Sequence, residues 1–379
     1  MSHHLPLVGI DCRFAATHSG IGRYTRELVK HLLQRDDPWN YVFFTMNNAL
    51  TGLEDALNEK RKTNNQKLII YPLPLTPYSL SEQLFLPHAL KKSRIDLFHS
   101  PHFNVPLGCG VPFIATIHDL ILHKFPNEAS LLKRTAYRFL MRHTVKHAQH
   151  LIAVSNATAE DLRVIYGEDI VSKISVIHEG ISEDFQPISL ERRVTARMKY
   201  DLPEQFFLYV GAAKQHKNVQ MLIDACPENQ TLILVSAGKE AQRLRLKSNV
   251  KILSAVPDED LPALYSSARA YVSPSLAEGF NFPVLEALSC GCPVIATRRG
   301  STPEVVGRFA TLIDPTVDAL RKAMENPPQG KPQEATTHAR TFSWEAVASE
   351  TAKIYAKEYA ALDGTHFHTS PQDSPEARH

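Results

Sequence analysis

AYVSPSLAEGFNFPVLEALSCGCPVIATRR (270–299) reads as a strand, a loop, a helix and a second strand. This unit builds a parallel sheet covered by helices. In such a sheet, ligands bind beyond the carboxyl ends of the strands, where loops and helix N-termini present backbone N–H groups. Glu278 closes the loop at that position. Gly279, Phe280 and Asn281 then lead into a helix carrying Glu286, and the N–H groups at its start form an anion-binding nest.

The same alternation of short β-branched runs and longer amphipathic stretches extends in both directions. In the first half, strand-like runs fall at 5–11, 41–45, 67–73, 95–100, 112–118, 150–155 and 174–178. The stretch 181–203 is polar and without strand character, as expected of a connection between domains. Strands restart at FFLYVGA (206–212) and recur at 231–238, 250–256 and 309–315, besides the two already quoted. The simplest architecture is α/β, with two consecutive doubly wound sheets: residues 1–185, a linker at 186–203, and residues 204–345. SWEAVASETAKIYAKEYAAL (343–362) has apolar residues at helical spacing and a leading Ser that can cap it. Residues 363–379, rich in His, Pro, Ser and Asp, read as a disordered tail.

Composition sets bounds on function. A chain of 379 residues is too long for one ordinary core, and 43% hydrophobic with 22% charged residues is typical of a soluble globular protein. No run approaches the roughly 18 consecutive apolar residues of a membrane span. The opening MSHHLPLVGID enters a strand without the basic and apolar regions of a secretory signal, so a cytoplasmic location is expected. Five cysteines, an odd number, argue for a reducing compartment, and Cys290 and Cys292 read as small buried residues. Residues 1–180 hold 20 Lys+Arg against 16 Asp+Glu and the remainder 22 against 24, so the first half is the one to meet an acidic partner. A nucleic-acid binder would be far more basic.

Five segments carry candidate chemistry. In HSGIGRYTREL (18–28), Gly20 and Gly22 allow close backbone approach to a phosphate or sugar. The segment partly matches the dinucleotide fingerprint, but Thr25 stands where a third glycine belongs; a purely structural glycine turn is the other alternative. FIATIHDL (113–120) places His118 and Asp119 at a strand's carboxyl end, suited either to a ligand or to a helix cap beside a solvated His. In YVGAAKQHKN (209–218), Gly211 permits a close turn, and Lys214, His216 and Lys217 put positive charge near a helix start, which suits a diphosphate or is merely a solvated run. Glu278 and Glu286 are eight residues apart, about two helical turns, on roughly the same side. Two acids flanking a phosphate nest suit one to hold sugar hydroxyls and the other ribose hydroxyls, unless they are simply two exposed glutamates. Finally, ASLLKRTAYRFLMRHTVKHAQH (129–150) contains no acidic residue. Arg134, Arg138, Arg142 and Lys146 form a stripe fit for anionic lipid headgroups or for solvent, while Leu131, Leu132, Ala136, Phe139, Leu140 and Val145 can face the core.

Taken together, SGIGRYTREL, HDL (118–120), VSNATAEDL (154–162), YVGAAKQHKN, the E-x7-E from Glu278 to Glu286 and GSTPEVVG (300–307) resemble the family 4 retaining glycosyltransferases of GT-B fold, and bacterial mannosyltransferases of polysaccharide assembly in overall appearance. The resemblance implies two Rossmann-like domains facing across a cleft, acceptor side first and nucleotide-sugar side second, with the final helix crossing back onto the first. It implies that Lys217 contacts the donor diphosphate, Glu278 the donor sugar and Glu286 the ribose, and that the backbone from Gly279 to Asn281 neutralises phosphate. His118 would sit over the transferred sugar, and Gly20 and Gly22 would line the cleft opposite. It further implies no cofactor and no divalent metal. The expected donor is GDP-mannose, with a UDP-sugar second. The expected acceptor is a lipid-linked glycan, met on the inner face of the cytoplasmic membrane if the basic stripe docks there.

Sugar-nucleotide epimerases and phosphorylases share this architecture, and a non-catalytic sugar-nucleotide binder or a nicotinamide-dependent oxidoreductase are further rivals; intact Lys217, Glu278 and Glu286 favour a transferase. One departure matters: family members commonly have Arg before the lysine, where this chain has His216. A guanidinium offers phosphate a fixed bidentate fork that imidazole lacks, leaving Lys214 to supply the charge. Lys217→Ala is expected to cripple turnover, while His216→Arg preserves or improves donor affinity; an unchanged rate in Lys217→Ala, in a steady-state assay, would remove the diphosphate assignment.

Overall fold

The computed structural model describes residues 5–17, 19–46 and 68–363. The tail expected at 363–379 lies outside them apart from Asp363, which ends the last helix.

Seven parallel strands, β1 (Leu7–Asp11), β2 (Asn40–Thr45), β3 (Leu68–Pro72), β4 (Leu97–Ser100), β5 (Phe113–Ile117), β6 (His150–Ala153) and β7 (Ile174–Val176), form a sheet in the order β3-β2-β1-β4-β5-β6-β7. A second sheet takes β8 (Phe207–Val210), β9 (Leu232–Val235), β10 (Val250–Leu253), β11 (Ala270–Ser273), β12 (Val294–Thr297) and β13 (Ala310–Ile313) in the order β10-β9-β8-β11-β12-β13. Every strand-like run read from the sequence is one of these strands. Strands β1, β5, β11 and β12 are buried at every position, as strands covered by helices on both faces must be.

The winding reverses between β1 and β4 in the first sheet and between β8 and β11 in the second. Strand order reverses where the two crossovers leave on opposite faces, which opens a crevice at the carboxyl ends. The segments after these strands line the cleft between the domains, together with those after β3, β5 and β7.

Helix Gly20–Gln34 covers one face of the first sheet: Tyr24, Leu28 and Leu32 pack on Ile10, Tyr41 and Phe43. The last helix, Trp344–Asp363, joins the same cluster through Trp344, Val347, Ala348, Ala352 and Tyr355, so the chain ends on the domain where it began. Ser343 Oγ accepts the Ala346 N–H at 3.1 Å, as a cap should. Two buried polar contacts fix the docking: Tyr355 Oη lies 2.5 Å from His99 Nδ1, and Glu358 Oε1 lies 3.1 Å from His150 Nδ1. Burial, with help from the neighbouring His118, pushes the His99 pKa down to about 3. The ring is therefore neutral, with one donor and one acceptor nitrogen, and the hydroxyls of Tyr355 and Thr116 satisfy both.

Two expectations need amendment. The polar connection at 186–203 contains a helix, Leu190–Lys199, whose Ala196 is buried in the second domain's core along with Ile181 and Phe185. The basic helix, Leu131–His147, buries Tyr137, Met141, Thr144 and Val145. That stripe fills the slot over the sheet, so only Val145 of the apolar set is in the core: Leu131, Leu132 and Phe139 are 69%, 81% and 60% exposed, Ala136 is exposed and Leu140 half-buried.

Tyr355→Phe removes a single oxygen and strands a buried imidazole nitrogen. A loss of about 1–3 kcal/mol is expected from denaturant unfolding, the usual cost of an unsatisfied buried polar group.

Candidate active site

A cleft of about 1080 Å³ separates the two sheets. Ser19, Gly20 and Ile21 bound it where helix Gly20–Gln34 starts, and Gly279, Phe280 and Asn281 bound it where helix Phe282–Ser289 starts. Among the described residues, the N–H groups of Gly279, Phe280, Asn281 and Phe282 have no acceptor. Asn281 holds the turn in the left-handed region, φ 73°, with its amide anchored to Ser273 Oγ and Thr302 Oγ1. The anion nest expected from the sequence is thus open toward the cleft.

Gly279 also brings the domains together. A Cβ there would lie 1.9 Å from the carbonyl oxygen of His118, so only glycine lets the two backbones meet. Thr158 Oγ1 is shared between the carbonyls of His118 and Gly279.

Lys217 Nζ grips both oxygens of Glu278, at 2.6 and 2.7 Å. The repulsion that a lone carboxylate would exert on a diphosphate is cancelled at its source. Lys214 lines the cleft, is exposed, and forms no ion pair with a described residue, leaving its charge available.

His118 is enclosed by acceptors. Its Nδ1 lies 3.0 Å from Glu179 Oε1 and its Nε2 lies 2.8 Å from the Pro101 carbonyl. Neither neighbour can donate, so both ring nitrogens must. Burial alone would lower the pKa, but the hydrogen bond and charge of Glu179 outweigh it and raise the value above that of a free histidine. The ring offers the cleft positive charge and an edge-on contact with Tyr24, not a free nitrogen. The solvated His of the alternative reading is excluded. Asp119 lines the cleft and also caps the turn Ile121–Lys124, its Oδ1 accepting from the Ile121 N–H at 2.9 Å.

Three expected positions fall outside this arrangement. Gly22 is away from the cleft; a Cβ there would lie 2.0 Å from the Thr17 carbonyl, so its role is the structural turn. Gly211 turns the chain after β8 with φ 145° and does not line the cavity. Glu286 is buried beside the cleft, one oxygen accepting from Tyr265 Oη at 2.8 Å and the other taken by Arg23 of the first domain. Both carboxylate oxygens are committed, so the expected grip on a ribose requires Arg23 to let go. His216 lines the cleft, but its ring is already engaged: Glu128 Oε1 lies 2.7 Å from its backbone nitrogen and 2.7 Å from Nδ1. Arginine placed there would meet Glu128 before any phosphate.

Glu128, Glu179 and Arg23 were not singled out from the sequence. Glu179 could have been, since it follows β7 at the same sheet end as His118 follows β5; Glu128 sits in an irregular turn with no such signal. Glu304, of the GSTPEVVG segment, crosses to the first domain. It accepts from the N–H groups of Asn156 and Ala157 at a helix start and pairs with His178 Nε2 at 2.9 Å. Burial resists its charge, but these hydrogen bonds outweigh it and hold the pKa below the ordinary carboxylate value.

Residues 18–185 match the family model "Glycosyltransferase Family 4", and residues 195–341 match "Glycosyl transferases group 1". O-antigen chain mannosyltransferase B of Escherichia coli is 28% identical over 89% of this chain and 96% of its own length. O-antigen chain mannosyltransferase RfbU of Salmonella typhimurium is 30% identical over 64% and 67%. Among solved structures, a sucrose-phosphate synthase from Thermosynechococcus elongatus superposes with a TM-score of 0.72 at 20% identity, over 94% of this chain and all of that one, and shares the fold.

Glu179→Gln replaces the anionic partner of His118 with a neutral amide. A histidine whose pKa is raised on folding stabilises fully below about pH 6.5, and the contribution is lost as pH rises through the folded pKa. The variant's His118 should therefore titrate at lower pH in an NMR titration, and its stability deficit should be greatest on the acid side and fade at alkaline pH. An unmoved His118 titration would refute this pairing.

Proposed function

The chain belongs to the family 4 glycosyltransferases of GT-B fold, and from that premise we propose that it is a retaining, metal-independent mannosyltransferase that moves mannose from GDP-mannose, or failing that a hexose from a UDP-sugar, to a hydroxyl of a lipid-linked glycan. The observation that carries the reading is the Lys217–Glu278 pair set beside the open N–H groups at the start of helix Phe282–Ser289. The diphosphate takes those N–H groups, Lys217 and the free Lys214. This supplies the positive charge that a metal would otherwise bring. Glu278, as Lys217 turns toward phosphate, accepts from hydroxyls of the donor sugar.

Glu278 is assigned to the donor sugar's hydroxyls, Glu286 is held by Arg23 and Tyr265, and Asp119 caps the turn at Ile121, which favours same-face attack over a covalent glycosyl-enzyme. The acceptor oxygen bonds to the anomeric carbon as the bond to phosphate breaks, and the departing phosphate takes the acceptor's proton. The protein contributes position and electrostatic stabilisation of the leaving group. The relatives named as O-antigen chain mannosyltransferases support mannose.

A membrane-facing role rests on the basic helix. Arg138, Arg142 and Lys146 are exposed and Arg134 half-buried, while Leu131, Leu132 and Phe139 stand out of the same helix. Cations with protruding apolar groups suit anionic headgroups and the acyl boundary beneath. No helix among the described residues is long and apolar enough to cross a membrane.

Two measurements test this. In thermal-shift and nucleotide-release assays with EDTA, across GDP-, UDP-, ADP- and dTDP-sugars and NAD(H), GDP-mannose should stabilise the protein and release GDP; stabilisation by NAD(H) alone, or by nothing, refutes the reading. Neutralising Arg134, Arg138 and Arg142 together should weaken binding to anionic vesicles by roughly 100-fold, at about 1 kcal/mol for each charge. Undiminished binding removes the helix from that role.

A further inference from the structure

The acceptor side of the cleft contains a polar cluster that the donor chemistry does not use. Arg13 is wholly buried between two carboxylates: its Nε and Nη2 reach Asp11 at 2.8 and 2.6 Å, and Nη2 also pairs with Glu82. Glu82, equally buried, uses its other oxygen twice, for the Tyr78 N–H at 2.7 Å and for Asn104 Nδ2 at 2.8 Å. Tyr78 is held in the left-handed region, φ 65°. A bulky side chain takes that conformation only where its surroundings enforce it, and such strain collects at functional sites.

The outcome for Asn104 is specific. It is 1% exposed and forms part of the cleft wall. Because Nδ2 is bound to a carboxylate, the amide cannot be flipped, and Oδ1 is the atom left over. That oxygen has no hydrogen-bond partner. Of the described residues with such a stranded buried side-chain atom, Asn104 alone lines the cleft. Beside it, the ring nitrogens of His102 have only the Tyr78 hydroxyl as a hydrogen-bond partner among the described residues, 3.3 Å from Nδ1. Burial, and secondarily His118, keeps the His102 pKa well below that of a free histidine, so the ring is an uncharged donor and acceptor.

We propose that Asn104, Tyr78 and His102 form an acceptor subsite that binds hydroxyls of the incoming sugar, with the Asn104 side-chain oxygen accepting one O–H. The buried Asp11–Arg13–Glu82 network positions it. The subsite lies across the cleft from the nest of Gly279–Phe282, and it recognises a neutral polyol, since it presents an amide oxygen, a phenol and a neutral imidazole. The exposed apolar side chains of Leu80, Leu107 and Phe139, which line the same cleft, leave room beyond it for an apolar aglycone. This inference rests on the transferase reading and names where its acceptor binds.

The test separates transfer from hydrolysis. Wild-type protein, Asn104→Ala and Tyr78→Phe are given the nucleotide-sugar that the donor screen selects, with water alone or with octyl glycosides of mannose, glucose, galactose and N-acetylglucosamine. Both variants should lose on the order of tenfold or more in kcat/KM for the octyl acceptor, while donor KM and the rate of hydrolysis to water stay within about twofold. A merely structural role would lower transfer and hydrolysis together, and that result overturns the subsite, as do unchanged transfer kinetics in both variants or a wild type that no octyl glycoside diverts from hydrolysis. Should Asn104→Ala fail to fold, Tyr78→Phe, which spares the contacts of Glu82, decides alone. A wild type that releases nucleotide from no donor refutes the transferase itself, an outcome distinct from loss of the subsite.

Discussion

The cleft depends on one backbone-to-backbone approach, that of Gly279 to the carbonyl of His118. It joins the loop after β11 to the end of β5, each next to its own sheet's reversal point. With these two strand ends in contact, the N-terminal turns of helices Gly20–Gln34 and Phe282–Ser289 face the same cavity, and a Cβ at Gly20 would be in van der Waals contact with Phe282. A side chain at position 279 would force the sheets apart. Thr158, which hydrogen-bonds both carbonyls, reinforces the contact from the first domain.

Around that point most of the charges already face a partner, while Lys133 and Lys214 form no ion pair with a described residue. Lys217 faces Glu278, Arg23 faces Glu286, His118 faces Glu179 and His216 faces Glu128. Breaking a mostly buried pair by removing one partner costs about 3–5 kcal/mol. An anionic ligand therefore exchanges partners and does not simply add to a positive hole: Lys217 turns to phosphate only as sugar hydroxyls reach Glu278. Such coupling favours a ligand that brings both groups at once over one that brings phosphate alone. Two of the four pairs, Arg23–Glu286 and Glu128–His216, join the two domains, as does Glu304 on the helix start at Asn156. Any opening of the cleft must give these up, so closure and ligand exchange draw on the same set of charges.

The strand runs and the nest at Gly279–Asn281 were legible because buried parallel strands and helix starts are written in contiguous residues. The pairing of those residues was not. Glu286 is eight residues from Glu278, which lies in the loop before the helix and not on it, and its partner is Arg23, far earlier in the chain and on the other domain. Helical spacing says which way a side chain points along its own helix and nothing about what the opposite domain presents. The basic helix misled for a related reason: Leu131, Leu132 and Phe139 have core character, but Tyr137, Met141, Thr144 and Val145 already occupy the width of sheet that one helix can cover. His216 stood out as a departure from the family pattern, and the compensating change, a carboxylate at Glu128 placed to hold it, could not be found without knowing that a turn of the first domain reaches across.

A buried arginine between two carboxylates is a costly way to hold a core together, since apolar residues of similar volume often do as well or better. Its value must then lie in what only charges can do. Glu82 gives one oxygen to Arg13 and is left with the other to hold both the Tyr78 N–H and the Asn104 amide. Burial raises the Glu82 pKa, and Arg13 works against that rise. Were Glu82 to take up a proton, the oxygen that fixes Asn104 would lose its charge and the amide could turn. Arg13 opposes that uptake, and so favours the arrangement in which the Asn104 oxygen faces away from Glu82 and has no partner of its own. The expense of the buried charges and the stranded oxygen have one explanation if the oxygen is meant for a ligand.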